Sequence, residues 1–258
     1  MLVNSVIIIL REVLEAALIV SVLLALSQKL QLSKNWLTRA LFLGGLGAAV
    51  YAFNIQTISL AFDGVGQEVL NASIHIVLCF AIALFIIVIR NTQNTKIIYS
   101  IMMSCVALAI TREGSEIIIY IQGLISIPEL MTPVIAGSII GSGIGVSIGV
   151  FFYYFIDNLS FQNGTRLGLF LIVLIAGGMI MQVTQLLIQA DIINSQHPIW
   201  NTSSLLNERS LVGQLLYAVI GYEATPTPIQ IYAYIVNLTV LTYLTVGTLN
   251  YFKQRDGL

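Results

Sequence analysis

Charge is scarce in this sequence. Charged side chains make up 9% of the 258 residues, whereas soluble domains carry about 25%. Hydrophobic residues account for 57%, and the mean hydropathy is +0.93. Lys and Arg number 11 against 12 Asp and Glu, so the basic excess of a nucleic-acid-binding protein is missing. The composition predicts an integral membrane protein.

Cysteine is almost absent, and so are the motifs of two large enzyme classes. Cys79 and Cys105 lie in apolar runs without CxxC spacing, which predicts packed thiols rather than a disulfide or a metal site. No GxxxxGK[ST] sequence occurs, which argues against ATP hydrolysis. The stretch "GVSIG" at 145–149 matches the GxSxG pattern of a nucleophile elbow. That motif needs a strand-to-helix turn, whereas this run is predicted to be a spanning helix.

Apolar runs of membrane-spanning length recur along the whole chain. Seven candidates lie at about 2–28, 36–62, 69–89, 97–125, 132–156, 167–190 and 229–252. The first run has no basic start and contains three charged residues, so we expect a mature first helix rather than a signal peptide. The long connection at about 191–228 carries apolar pairs at helical spacing, which predicts an amphipathic or re-entrant helix. We expect a single all-α transmembrane domain over 1–258.

Basic residues cluster on alternate connections, which predicts the orientation. They are Lys29, Lys34, Arg39, Arg90, Lys96, Arg166, Lys253 and Arg255. The other connections hold Asp63, Glu68, Glu129, Asp191, Glu208 and Glu223, with Arg209 as their base. By the positive-inside rule, the N-terminus lies outside and the C-terminus inside.

A charged cluster interrupts the first apolar run. In "LREVLEAALIV", which begins at Leu10, Arg11, Glu12 and Glu15 project from roughly one helix face. "TREGSEIIIY" repeats the cluster 101 residues later as Arg112, Glu113 and Glu116. Three spans separate the two copies, so their helices run in opposite directions. This predicts an inverted repeat, about 1–90 against about 96–191, with one helix added.

Both clusters are predicted to lie at the same depth. At 1.5 Å per residue, the glutamates are about 13–18 Å from the outer end of their helices, near the middle of a hydrocarbon core of about 30 Å. A structural network of Arg–Glu pairs is one interpretation, but such pairs add little net stability. Two arginines neutralise only two of the four glutamates, so a cation pathway is favoured. Carboxylate oxygens suit a hard cation, and spacing alone does not identify which one.

Other polar residues are candidates for the pathway. Gln182, Gln185 and Gln189 form a stripe that either lines a path or bonds to neighbouring helices. His75 is either a pathway residue or a neutral, hydrogen-bonded histidine. Outer carboxylates either concentrate cations in a funnel or are simply solvated; they include Glu68, Asp63, Asp191, Glu129 and Glu223.

The paired R-E-x-x-E motifs, "REVLE" and "REGSE", resemble those of the oxidase-dependent iron permease family, which includes the yeast high-affinity iron permease and bacterial iron uptake permeases. "HPIWN" and "LVGQLLYAVIGYEATPTP" also resemble that family's region before its last helix. The resemblance implies ferric iron uptake across a plasma membrane or bacterial inner membrane, with iron as the transported substrate and no bound cofactor. It implies metal ligands at Glu12, Glu15, Glu113 and Glu116, with Arg11 and Arg112 beside them.

The resemblance also implies an outer-side oxidase or iron-delivery protein as partner. Val13 and Ser115 depart from the commoner "REGLE" form, and Asn71 stands where relatives often have an acid. Together, the paired motifs and the resemblance predict a permease, not an enzyme. Three alternatives stay open: a carrier of ferrous iron, manganese or lead; a di-metal enzyme, although the usual Glu-x-x-His pattern is missing; and a ferric sensor without transport.

Overall fold

The structure is a computed structural model that describes residues 1–90, 94–208 and 210–255, with side chains up to 253. Arg209 and the Arg255 side chain, both used in the orientation argument, lie outside the described residues. The regular elements of the described part are all helical. They are α1 (Leu2–Lys29), α2 (Asn35–Phe53), α3 (Ile55–Leu60), a 3₁₀ turn (Phe62–Gly64), α4 (Gly66–Val88), α5 (Thr95–Ile125), α6 (Pro128–Asp157), α7 (Phe161–Gln189), α8 (Leu211–Ile220) and α9 (Pro228–Arg255).

Six of these helices are long and apolar enough to cross a membrane: α2, α4, α5, α6, α7 and α9. The 28-residue α1 is long enough, but every 18-residue window of it contains three charged residues. Large apolar side chains stay exposed on the outside of the bundle, including Phe42 at 72%, Ile139 at 69% and Phe80 at 64%. Surfaces of this kind face lipid rather than water. The seventh span, the inverted repeat and the orientation stay predictions.

The second predicted span, 36–62, extends too far: α2 (Asn35–Phe53) is long and apolar enough to cross a membrane, and the helix breaks after it. The residue that follows α2, Asn54, has a φ of −101° and a ψ of 11°, which are not helical. The Asn54 side-chain amide donates to Val50 O at 2.8 Å, a local bond that competes with helix continuation. After the short α3, Phe62 and Asp63 take positive φ values of 52° and 61°, and the chain turns into α4.

Glycines of α6 allow α1 to pack against it closely. A Cβ at Gly137 would lie 2.6 Å from Ser5 Cβ, and one at Gly141 would lie 2.6 Å from Val6 O. Further along, a Cβ at Gly149 would lie 2.9 Å from Ala17 Cβ. The four-residue spacing of these glycines predicts close helix packing, and this prediction is confirmed.

The helix pairing is symmetric between the predicted repeats. The most extensive contacts join α1 to α6 and α2 to α5. Exchanging the repeats replaces α1 by α5 and α6 by α2, so that one pair becomes the other. α7 contacts both α4 and α9 and completes the bundle. This pattern agrees with an inverted repeat.

A short helix lies in the connection between α7 and α9. The predicted helix of this region is confirmed as α8, Leu211–Ile220. Its N-terminus is capped by Ser210, whose hydroxyl accepts from Gly213 N at 3.0 Å. It ends at Gly221, whose φ of 69° favours glycine. A Cβ there would lie 2.5 Å from Gly178 Cα of α7, so two glycines bring α8 close to the bundle.

Candidate cation site

The two charged clusters meet inside the bundle. α1 carries Glu12 and Glu15, and α5 carries Arg112 and Glu113. Each of these residues is at most 6% exposed. Because α1 and α5 pack against each other, the two motifs contact one another directly.

Arg112 lies among the four glutamates. Its Nη1 is 3.3 Å from Glu12 Oε2 and 3.7 Å from Glu15 Oε2, and the same nitrogen is paired with Glu113 Oε2. Its Nη2 is 3.1 Å from Glu116 Oε1. One guanidinium therefore contacts carboxylates of both motifs, and its planar fork of donors suits that arrangement.

Arg11 is placed quite differently, although its motif has the same spacing. Its Nη2 pairs with Glu12 Oε1 at 2.5 Å, and its side chain is 36% exposed. The guanidinium carbon lies 5.7 Å from the centre of the Tyr217 ring, within range of a cation–π contact. The first arginine thus lies at the rim of the site and the second at its centre.

Neutral amides hold two of the carboxylates. Asn71 Nδ2 donates to Glu116 Oε1 at 3.0 Å, and the Tyr51 hydroxyl donates to Asn71 Oδ1 at 2.9 Å. Gln182 Nε2 donates to Glu15 Oε2 at 2.7 Å. Gln182 therefore bonds to a neighbouring helix, one of the two alternatives for the glutamine stripe. Asn71 is a site residue that sequence reasoning noted only as a departure from the family pattern.

His75 of α4 lies beside Glu113 of α5. It is 0% exposed, and its Nε2 is 3.9 Å from Glu113 Oε1. Among the described residues, neither ring nitrogen has a hydrogen-bond partner, and neither does Glu113 Oε1. No hydrogen bond to a described residue holds the ring, and both interpretations of His75 stay predictions.

A cavity of about 350 Å³, lined partly by α8, reaches Arg112 and one of the four motif glutamates, Glu116. Its lining includes five of the predicted pathway candidates, Glu68, Gln182, Gln185, Gln189 and Glu223. Asp63, Glu129 and Asp191 do not line it and are exposed. The remaining lining residues are Arg11, Gln67, Asn71, Arg112, Glu116, Leu186, Glu208, Gln214 and Tyr217.

Six of the lining residues were not predicted from the sequence as site members: Gln67, Asn71, Leu186, Glu208, Gln214 and Tyr217. Glu208 entered only the orientation argument, while Gln214 and Tyr217 lie in the segment predicted to be helical. The helical spacing of Gln214 and Tyr217 was the signal that could have placed both on one face of α8.

Comparison with known proteins decides the family. A profile of the iron permease FTR1 family matches residues 2–257. The chain belongs to the iron permease FTR1 family. No curated protein and no solved structure matches it. With six helices able to cross a membrane, the chain is a multi-pass membrane protein of an iron-transporting family.

The mouth of the permease's cavity contains a carboxyl group with an altered pKa. Burial, and secondarily the neighbouring Glu208, raises the pKa of Glu223 to about 7. Both residues line the cavity, outside the spanning helices. The negative charge at the mouth therefore changes near neutral pH.

The central arginine also determines what the permease's carboxylates can bind as arranged here. Within the described part of the chain, no three His, Cys, Asp or Glu side chains form a group that could hold a metal ion. The Arg112 guanidinium contacts all four motif glutamates. In this arrangement, the carboxylate oxygens of both motifs are directed to the guanidinium.

Proposed function

We propose that this permease carries ferric iron into the cell, with Glu12, Glu15, Glu113 and Glu116 as the ligands at mid-membrane. The observation that carries the proposal is the contact of the Arg112 guanidinium with all four carboxylates. A position where four carboxylates surround one positive group also suits a hard metal cation, which prefers oxygen ligands. Transport of iron in its ferric form is what the family resemblance implies.

Arg112 exchanges places with the ion in this proposal. Its Nε has no hydrogen-bond partner among the described residues, so the contacts of its two Nη atoms hold it. The side chain already lines the cavity, which gives the released guanidinium a polar place to go. A trivalent ion supplies three positive charges where the arginine supplied one, and this charge difference favours the exchange.

The cavity is the outer entrance of this pathway. The helix α1 also crosses the membrane, which brings the number of spans to seven. The positive-inside distribution supports an outer N-terminus, and Glu68, Glu208 and Glu223 in the cavity concentrate cations. An oxidase or iron-delivery protein supplies ferric iron at this face, as the resemblance implies. The membrane is the plasma membrane or a bacterial inner membrane, whose potential contributes about 2.3 kcal/mol per charge per 100 mV, or about 7 for a trivalent ion.

Radioactive iron uptake into proteoliposomes tests the proposal, with ferric citrate and ferrous iron supplied separately. Ferric uptake by the native chain should fall to the level of empty liposomes in Glu12→Gln and in Glu113→Gln. Glu129→Gln is the matched control, because this exposed carboxylate lies outside both motifs and the cavity. Unchanged ferric uptake in both motif variants would show that the motifs have a structural role instead.

The same assay separates the alternative cargoes. Uptake of ferrous iron alone, or stronger competition by manganese or lead than by ferric citrate, would keep the glutamate site and change its ion. Ferric binding with no uptake would support the sensor alternative.

A further inference from the structure

The antiparallel packing of α4 against α5 brings their side chains together at two successive levels. At the outer level, Asn71 donates to Glu116 at 3.0 Å. One helical turn deeper on each helix, His75 Nε2 faces Glu113 Oε1 at 3.9 Å. The outer pair lines the cavity, whereas neither His75 nor Glu113 does.

The inner pair contains unusually many unpaired polar atoms. His75 Nδ1, His75 Nε2 and Glu113 Oε1 are buried without a hydrogen-bond partner among the described residues. Leaving one such atom unsatisfied costs about 1–3 kcal/mol. Native structures keep few of them, and a catalytic or binding role is a recognised reason. Three such atoms in one pair are available to a ligand.

The carboxylate of Glu113 connects this pair to the central site. One of its oxygens, Oε2, is paired with Arg112, while Oε1 is directed to the histidine. A cation that replaces Arg112 therefore shares Glu113 with the imidazole on the far side from the cavity.

We propose that His75 is a fifth ligand of the transported cation, which it receives through Nε2 together with Glu113 on the inner side of the four-glutamate site. The separation of 3.9 Å fits two donors nearly opposite each other on one ion, because metal–nitrogen and metal–oxygen bonds of about 2.0–2.2 Å place such donors up to about 4.2 Å apart. Imidazole is also an accepted ligand for iron.

The chemistry of this ligand suits an exit step. Neutral imidazole adds a ligand on the inner side of the site without adding negative charge, so a trivalent ion that shifts toward it exchanges carboxylate contacts for a neutral one. Conduction requires binding that is strong enough for entry and weak enough for release. The inference rests on the proposed function, since it adds a ligand to the same four-glutamate site.

Pulsed electron paramagnetic resonance of the bound ferric ion tests it. The full chain is prepared with ¹⁵N-histidine, loaded with ferric citrate and examined for ¹⁵N hyperfine coupling. The sequence contains two histidines, His75 and His197, so His197→Gln, an exposed loop change, is the matched control. We expect coupling in the native chain and in His197→Gln, no coupling in His75→Gln, and ferric binding about tenfold weaker in the latter.

The outcomes separate this inference from the proposed function. Ferric binding without ¹⁵N coupling in the native chain overturns the role of His75 and leaves the four glutamates standing. Coupling that survives in His75→Gln also overturns it. No ferric binding in any chain overturns both the ligand and the transport site. The labelled native chain decides the matter even if His75→Gln fails to fold.

Discussion

The Arg112 guanidinium of α5 lies 3.3 Å from the Glu12 carboxylate of α1, so the cation of one motif neutralises an acid of the other. Arg11 contacts the opposite oxygen of the same carboxylate. Glu12 is therefore held by both arginines, whereas Glu15 depends on Arg112 at 3.7 Å and on one amide. The two motifs form one charge network rather than two equivalent halves.

Removal of the central arginine should destabilise the metal-free protein. Arg112→Gln leaves buried carboxylates without their cation, which should lower the free energy of unfolding by about 3–5 kcal/mol. Arg11→Gln should cost less than about 1 kcal/mol, because Arg11 is 36% exposed and screened by solvent. Thermal unfolding in detergent measures both. Ferric citrate should stabilise Arg112→Gln more than the native chain, since no arginine needs displacing, and equal losses in the two variants would contradict a central role.

An added acid beside Glu116 should make the site more dependent on a cation. In Asn71→Asp, the bond from Tyr51 stays, but an oxygen replaces the nitrogen that donates to Glu116 at 3.0 Å. Two carboxylates at this distance repel. The metal-free variant should lose about 1–3 kcal/mol of stability and bind ferric citrate more tightly, as isothermal titration and unfolding can measure.

A matched control for this variant is Asn201→Asp. Asn201 is exposed, and its side-chain oxygen accepts from Ser203 N at 2.9 Å, a bond that aspartate keeps. A metal-free Asn71→Asp chain as stable as this control would show that Asn71 does not set the charge of the site.

The approximate spans and the level of the charged clusters could be predicted because hydrophobic runs and helix rise are local properties. Six predicted spans correspond to helices that extend at most six residues beyond the predicted ends. The break at Asn54 was missed because the apolar run continues across it, and the side-chain bond to Val50 O that accompanies it is not visible in a hydrophobic pattern.

The difference between the two arginines could not be predicted from spacing. Both motifs present Arg, Glu and Glu at the same intervals, so each taken alone predicts the same geometry. The difference comes from tertiary packing, which brings Tyr217 of α8 beside Arg11 and directs Arg112 between the helices. The position of His75 beside Glu113 likewise depends on the register between α4 and α5.

The α1–α6 contact at Gly141 should tolerate no added methyl group. A Cβ at Gly141 would lie 2.6 Å from the backbone oxygen of Val6, whereas one at Gly143 meets nothing within 4 Å. Gly141→Ala should therefore cost about 1–3 kcal/mol through overpacking, and it should reduce iron uptake because it moves α1 and its glutamates. Gly143→Ala, two residues away in the same helix, should leave unfolding and uptake unchanged. Equal behaviour of the two variants would show that the α1–α6 contact does not position the site.

Cation capture at the cavity mouth should depend on outer pH through Glu223. Because burial and Glu208 raise the pKa of Glu223 to about 7, its carboxyl group is mostly neutral at pH 6 and mostly ionised at pH 8. Ionisation adds negative charge to the cavity, so initial iron uptake should rise as the outer pH rises through about 7.

Iron citrate itself changes with pH, so the quantity to measure is the ratio of native uptake to Glu223→Gln uptake at each pH. This ratio should approach one at pH 6 and increase toward pH 8, because the glutamine imitates the neutral acid at every pH. The ratio of native uptake to Glu129→Gln uptake should stay constant, since Glu129 lies outside the cavity. A native-to-Glu223→Gln ratio that is flat across this range would show that the charge at Glu223 does not limit capture, and that the cation is first concentrated deeper, at Glu68 or Glu116.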